Sequence, residues 1–335
     1  MNSLLDLPKA ELHLHVEGTL EPEMAFALAE RNGVQLPFAG VEDLRSRYAF
    51  TDLQSFLDLY YACMSVLRTR QDFEDLATAY LDRAHAQGVR HVEMFVDPQV
   101  HLRGGVALED VLDGLLAALR RAGDRYGMTG GLIPCFLRDL PATDAMDTLE
   151  RLAPRAAELL GVGLDSAEVG HPAAPFAEVF ARARSLGLHL VAHAGEEGPP
   201  AYVREALDLL GVERVDHGVR VLEDPELVAR LRAEQVPLTV CPLSNVRLGG
   251  VASMGRHPLP RMLDAGLLVT VNSDDPAYFG GYVGDNFTAL RETFGFDAGA
   301  LADLAANSVR ASFAPESRKA ELQAQIEAWR EAAGS

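Results

Sequence analysis

His13 and His15 flank a single leucine in the run Ala10-Glu11-Leu12-His13-Leu14-His15-Val16-Glu17-Gly18. Histidine alternating with apolar residues has the period of a β-strand, which places both imidazoles on one face. Two imidazoles side by side can chelate a metal ion; the plain alternative is a hydrogen-bonded pair at a strand end. Three further apolar runs end in residues of the same chemistry. Leu190-Val191-Ala192-His193 continues into Ala194-Gly195-Glu196-Glu197, Val215-Asp216-His217 into Gly218, and Val269-Thr270-Val271-Asn272-Ser273 into Asp274-Asp275-Pro276. His13, His15, His193 and Asp274 would supply three nitrogens and one oxygen, a donor set that suits zinc. A position left for water makes such a site catalytic: the metal lowers the pKa of that water and yields hydroxide as nucleophile.

Three more polar residues stand near this set. Glu196, at the head of a loop rich in glycine and proline, is a natural proton donor if its pocket keeps it protonated; otherwise it is a solvated loop acid, as neighbouring Glu197 is expected to be. His217 is a candidate to orient the hydroxide or accept its proton, against the alternative of a satisfied strand-end histidine. Asp275 cannot share the strand face of Asp274, so it addresses a ligand from the side or forms a turn with Pro276. The other histidines, 85, 91, 101, 171, 189 and 257, and Cys241 read as surface or core residues.

Positioning these groups requires strands whose ends meet. Eight short apolar runs recur: Glu11–His15, Val89–Val96, Gly131–Leu137, Val162–Ser166, Leu188–His193, Arg214–His217, Pro237–Cys241 and Leu267–Ser273, with helical patterns before each from the second onward. Strands alternating with helices predict an α/β fold, a (β/α)8 TIM barrel, in which all strand C-termini gather around one mouth. An open doubly wound sheet is the alternative, but the first run ends in histidines rather than a glycine fingerprint. Pro22 opens and Gly33 closes a helix at 23–32. Leu53, Phe56, Leu57, Tyr60, Met64 and Leu67 form one apolar stripe in a long helical insertion after the first strand. That insertion emerges at the mouth and either covers it as a lid or packs on the barrel wall. Charged helices fill the chain from about Asn286. No repeat or linker interrupts residues 1–335, so one domain is expected.

Composition narrows the partners. Asp and Glu number 49 against 30 Lys and Arg, a net charge of -19, which repels phosphate backbones and argues against nucleic acid and anionic membranes. Three scattered cysteines, Cys63, Cys135 and Cys241, argue against a disulfide framework. With no basic, apolar leader at the N-terminus, the chain reads as cytoplasmic; assembly as a homo-oligomer stays open. Lys9 and Lys319 are the only lysines, and neither is expected on a core strand. The fourth run carries none, which excludes a carbamylated lysine bridging two metals, and Schiff-base aldolase chemistry falls with it. A single-metal hydrolase survives.

The segments PKAELHLHVEGT, HAGEE, DHG, CPLSN and NSDDP, in that order from Pro8 to about Tyr282, resemble the adenosine/adenine deaminase family of the amidohydrolase superfamily. The resemblance implies a zinc barrel, with one ion per subunit, that hydrolyses the 6-amino group of a purine. It implies His13, His15, His193 and Asp274 as zinc ligands and Glu196 as the donor to purine N1. It further implies that His217 positions the zinc hydroxide and that Asp275 bonds the N7 edge. The nucleoside branch typically has Asp where this chain has Glu17, and Leu-Ala-Gly-Asp-Glu near Asp165-Ser166-Ala167-Glu168. Those departures, with the stretches 193–200 and 275–282, resemble the adenine deaminase branch: longer acids and aromatics would fill the ribose volume. The expected reaction is adenine plus water to hypoxanthine and ammonia, as in purine salvage. The alternatives are deamination of adenosine or another substituted 6-aminopurine, and a zinc-binding barrel without catalysis.

Overall fold

A computed structural model describes residues 3–333. Eight strands run β1 (Lys9–His15), β2 (Val89–Val96), β3 (Thr129–Leu137), β4 (Gly161–Asp165), β5 (His189–Ala194), β6 (Arg214–His217), β7 (Pro237–Val240) and β8 (Leu268–Val271). They pair in sequence order, every pair parallel. Near-continuous apolar runs form these strands because both faces are covered, by helices outside and by the barrel interior within. β8 and β1 meet only beyond the end of β8: the Asp274 N–H donates to the His13 carbonyl at 3.1 Å and the His15 N–H to the Asp274 carbonyl at 3.0 Å. One level below, the Asn272 side-chain oxygen takes the Leu12 N–H at 2.8 Å. That contact ends β8 two residues earlier than the expected Ser273 and closes the (β/α)8 barrel through β1, on the level of the histidines.

Lys9 departs from expectation. It is the first residue of β1 and fully buried, its Nζ donating to the carbonyls of Leu4, Leu7 and Gln87 at 2.8–2.9 Å. Burial pushes its ammonium down to about 7. It lies at the N-terminal end of a strand whose C-terminal end carries His13 and His15, so the exclusion of lysine chemistry at the mouth stands on position.

The barrel interior also holds a buried ion pair. Arg214 Nη1 lies 2.5 Å from Glu93 Oε2, both side chains at 0 % exposure, and Nη2 donates to the Leu12 carbonyl at 3.1 Å. Burial raises the Glu93 carboxyl, but Arg214 and His91 outweigh it and bring it down to about 2. Phe313 plugs this end, its N–H on Glu93 Oε1 at 2.6 Å and its ring 4.7 Å from the Arg214 guanidinium carbon. Removing one partner of such a pair strands the other charge in the core. Arg214→Ala is therefore expected to lower the unfolding free energy by about 3–5 kcal/mol in a urea titration; a loss below about 1 kcal/mol would contradict this account.

The insertion after β1 carries helices Pro22–Asn32, Val41–Ser46 and Leu53–Met64 before helix Arg70–Ala86 leads into β2. Gly33, at φ 63°, ends the first as the sequence predicts. Asp52 starts the third by accepting the Ser55 N–H at 2.8 Å. Its apolar stripe then turns inward, with Leu53, Phe56, Leu57 and Tyr60 all buried. All three cysteines are free and buried. No helix among the described residues is long and apolar enough to cross a membrane.

Candidate active site

The strand ends converge as the sequence predicts. His13 Nε2 lies 3.2 Å and His15 Nε2 3.5 Å from Asp274 Oδ1, and the Nε2 atoms of His15 and His193 are 3.2 Å apart. Donor atoms bound to one ion at 2.0–2.1 Å stand about 3 Å or a little more apart, so the four groups fit a zinc-sized ion. Neighbouring residues fix which atoms face the centre. His13 Nδ1 donates to Thr239 Oγ1 at 2.9 Å, because the Thr239 hydroxyl itself donates to Asp216 at 2.8 Å. The His13 Nε2 lone pair is thereby left for the centre, and it is buried without a hydrogen-bond partner. The Ser244 hydroxyl occupies Asp274 Oδ2 at 2.6 Å and leaves Oδ1 free. Burial pushes His15 down to about 4 and His193 well below the usual range. On Asp274, His13 and its neighbours outweigh burial and keep the carboxylate ionised. Neutral imidazoles with an ionised carboxylate are the metal-binding forms. Only His13 is held upward, where Asp274 outweighs burial. Cys241 is close to this group, but burial keeps its thiol protonated, and it remains a core residue.

The backbone is strained where it aims these groups. Asp274 at φ 66°, His217 at φ 63° and Ser166 at φ 71° occupy the left-handed region that non-glycine residues avoid, each at the end of a barrel strand. Gly18 is required by a close approach: a Cβ there would lie 2.1 Å from Asp275 Oδ1.

Glu196 is 6 % exposed, so it is not the solvated loop acid of the plain reading. Burial, then the charges of Asp274, Glu168 and Glu197, push its carboxyl well above the usual range, with Arg138 opposing. These surroundings favour its protonated form. His217 Nε2 lies 3.5 Å from Glu196 Oε1 and 3.8 Å from Asp274 Oδ2. A relay sets its tautomer: the Leu259 N–H donates to His257 Nδ1, His257 Nε2 donates to Asn245 Oδ1, and Asn245 Nδ2 donates to His217 Nδ1. The one proton of neutral His217 therefore sits on Nε2, facing the centre. Burial, more than any neighbour, brings this imidazole down to about 3. It can hydrogen-bond an oxygen as a donor and is a poor base. Asp275 Oδ1 is buried and unpartnered; burial and then Asp274 raise its carboxyl well above the usual range, which makes it a hydrogen-bond donor.

His15, His193, Glu196, His217, Asp274 and Asp275 line one pocket. Leu53, Phe56, Leu57, Tyr60 and Tyr61 of the insertion line it too, which settles the insertion as a cover over the mouth. Across from Glu196 and His217, on the β2 and β4 side, stand Asp97 and Asp165. Asp97 Oδ1 and both Asp165 oxygens are buried without a hydrogen-bond partner, and His15 Nδ1 stands 3.6 Å from Asp165 Oδ2. Burial and their mutual proximity raise Asp97 far up, and burial raises Asp165 to about 7. Glu17 does not fill the cavity as expected. It turns away, its Oε1 accepting from His101 Nε2 at 2.7 Å and from the Asp97 N–H at 3.0 Å, so it shapes the wall through Asp97. Sequence reasoning missed Asp97, Asp165, Asn245, His101, His257 and Glu168 as parts of the site. Asp97 and Asp165 were findable by the rule that found the histidines, since both sit at strand C-termini.

A model of the adenosine deaminase family matches residues 8–329. The chain is 61% identical to an adenine deaminase of Streptomyces coelicolor, over 98% of this chain and 97% of that one. It is 58% identical to an adenine deaminase of Rhodospirillum rubrum, over 96% of each. A solved adenine deaminase from Arthrobacter aurescens superposes with a TM-score of 0.95 at 56% identity, covering 97% of this chain and 99% of its own. An amidohydrolase from Burkholderia ambifaria, solved with bound zinc, gives 0.91 at 29% identity, over 99% and 92%. With the family match spanning almost every residue and relatives this similar at full length, the chain belongs to the adenosine deaminase family of hydrolytic deaminases, on its adenine deaminase branch.

Proposed function

We propose that this chain is a zinc-dependent adenine aminohydrolase that converts adenine and water to hypoxanthine and ammonia for purine salvage. The reading includes one zinc per subunit held by His13, His15, His193 and Asp274, and one barrel domain per chain. It also includes a cytoplasmic location, which buried free thiols suit. The observation that carries the chemistry is the buried carboxyl of Glu196, 3.5 Å from His217 Nε2, beside the converging donors of His13, His15, His193 and Asp274. A zinc ion there supplies a Lewis acid and lowers the pKa of water.

The chain's own residues do the rest. Glu196 gives its proton to N1, which makes C6 electrophilic. His217 Nε2–H holds the attacking oxygen on the C6 face. The protonated carboxyl of Asp275 donates to N7. Water's oxygen bonds C6 and the C6–amine bond breaks; one water proton leaves with the amine as ammonia and the other restores Glu196. N1 keeps the proton it received, as hypoxanthine requires.

Adenine is favoured over adenosine because Leu53, Phe56, Leu57 and Tyr60 of the insertion cover the pocket and the buried carboxyls of Asp97 and Asp165, which suit a ring N–H, line it. The named adenine deaminases at 58–61% identity support the same substrate. The test is kcat/KM on adenine, adenosine and N6-substituted purines. Adenine should lead adenosine by on the order of 10³ or more; a preference for adenosine would overturn the substrate assignment.

A further inference from the structure

Glu168 lies three residues past β4, fully buried, and points at the loop that follows β5. Its Oε1 accepts the Gly195 N–H at 2.7 Å, and its Oε2 accepts those of Glu196, Glu197 and Gly198 at 3.0, 2.8 and 2.7 Å. Four consecutive backbone amides on one carboxylate form an anion-holding nest whose anion is part of the chain. The backbone is cut to fit. Gly195 is at φ 71°, and a Cβ on Gly198 would stand 2.5 Å from Glu168 Oε1.

We propose that Glu168 is the positioning residue of the proton donor: by gathering the amides of residues 195–198 it sets where the Glu196 carboxyl stands over the substrate. This rests on the reading of Glu196 as donor to a 6-aminopurine. The second consequence is electrostatic. Glu196 is faced by Asp274 past β8, by His217 at the end of β6, by Arg138 past β3, by its neighbour Glu197 and by Glu168. The charge of Glu168 is one of those that favour the protonated donor, so removing it makes Glu196 lose its proton at lower pH.

Glu168→Gln keeps one acceptor oxygen but loses the charge and turns an NH₂ toward an amide. Expected are a kcat about tenfold lower or less still, KM within about threefold, metal content unchanged, and the alkaline limb of kcat/KM moved toward acid by roughly half a unit or more. Gly198→Ala displaces the carboxylate and keeps its charge, so kcat should fall while the limb stays. Wild-type kcat and an unmoved limb in Glu168→Gln would overturn the proposal. Hydrogen exchange on the wild type gives an arm independent of activity. The amides of 195–198 should be protected like those of β5, and fast exchange would overturn the proposal even if neither variant folds. A wild-type enzyme inactive on every 6-aminopurine would sink the deaminase assignment, while the exchange result still decides whether Glu168 holds the loop.

Discussion

Glu196→Gln lowers kcat by about 10²–10⁴-fold and leaves bound metal and KM nearly unchanged. The amide has the shape of the acid and can still hydrogen-bond N1, but it has no proton to give. The acid form is available in the wild type because burial comes first, reinforced by the charges of Asp274, Glu168 and Glu197, and Arg138 does not offset them. A raised donor is active below its pKa and silent above it. Activity of the wild type should therefore fall on an alkaline limb, and the part of that limb set by Glu196 should be lost in the variant, leaving the part set by Asp275. Metal analysis separates this outcome from loss of the ion, since Glu196 is not among the converging donors. A variant retaining half its activity would remove Glu196 from the donor role.

The barrel was legible because its strands are covered on both faces, so each reads as a short apolar run between helical patterns. The ligand set was legible because imidazole and carboxylate side chains stand at the ends of those runs, where the fold brings them together. The rule was applied to β1, β5, β6 and β8. Applied to β2 and β4 it would also have returned Asp97 and Asp165; Asp165 was read instead for the absence of lysine and as part of the segment that departs from the nucleoside branch. Glu17 was assigned to the cavity on its length. Its direction depends on His101 and on the Asp97 backbone, partners 84 and 80 residues away along the chain, and no local pattern reports them. Glu168 is the same case: its partners are 27 to 30 residues away and are backbone amides, which carry no residue-type signal at all. Lys9 was placed off the strand because the first run was read from Glu11; three carbonyls hold it in the core at the start of β1 instead.

Withdrawing the metal is expected to abolish turnover and to weaken the fold at the same time. Without an ion, His13 Nε2 is buried with no hydrogen-bond partner, and the Nε2 atoms of His15 and His193 stand 3.2 Å apart. An unsatisfied buried nitrogen costs free energy in the native state only, so a ligand that binds it stabilises the native state. At a metal concentration about 1,000 times its Kd the gain is about 4 kcal/mol. Dialysis against a chelator should therefore lower Tm along with activity, and zinc should restore both. The support beneath His13 provides the sharper comparison. Thr239→Val removes the nearer acceptor of His13 Nδ1, leaves only the Thr239 carbonyl at 3.3 Å, and touches no ligand. Metal affinity should fall by about 10–100-fold, whereas His13→Ala should leave the site without measurable zinc. Activity that survives chelation, or full zinc occupancy in His13→Ala, would show that these four side chains do not hold the catalytic ion.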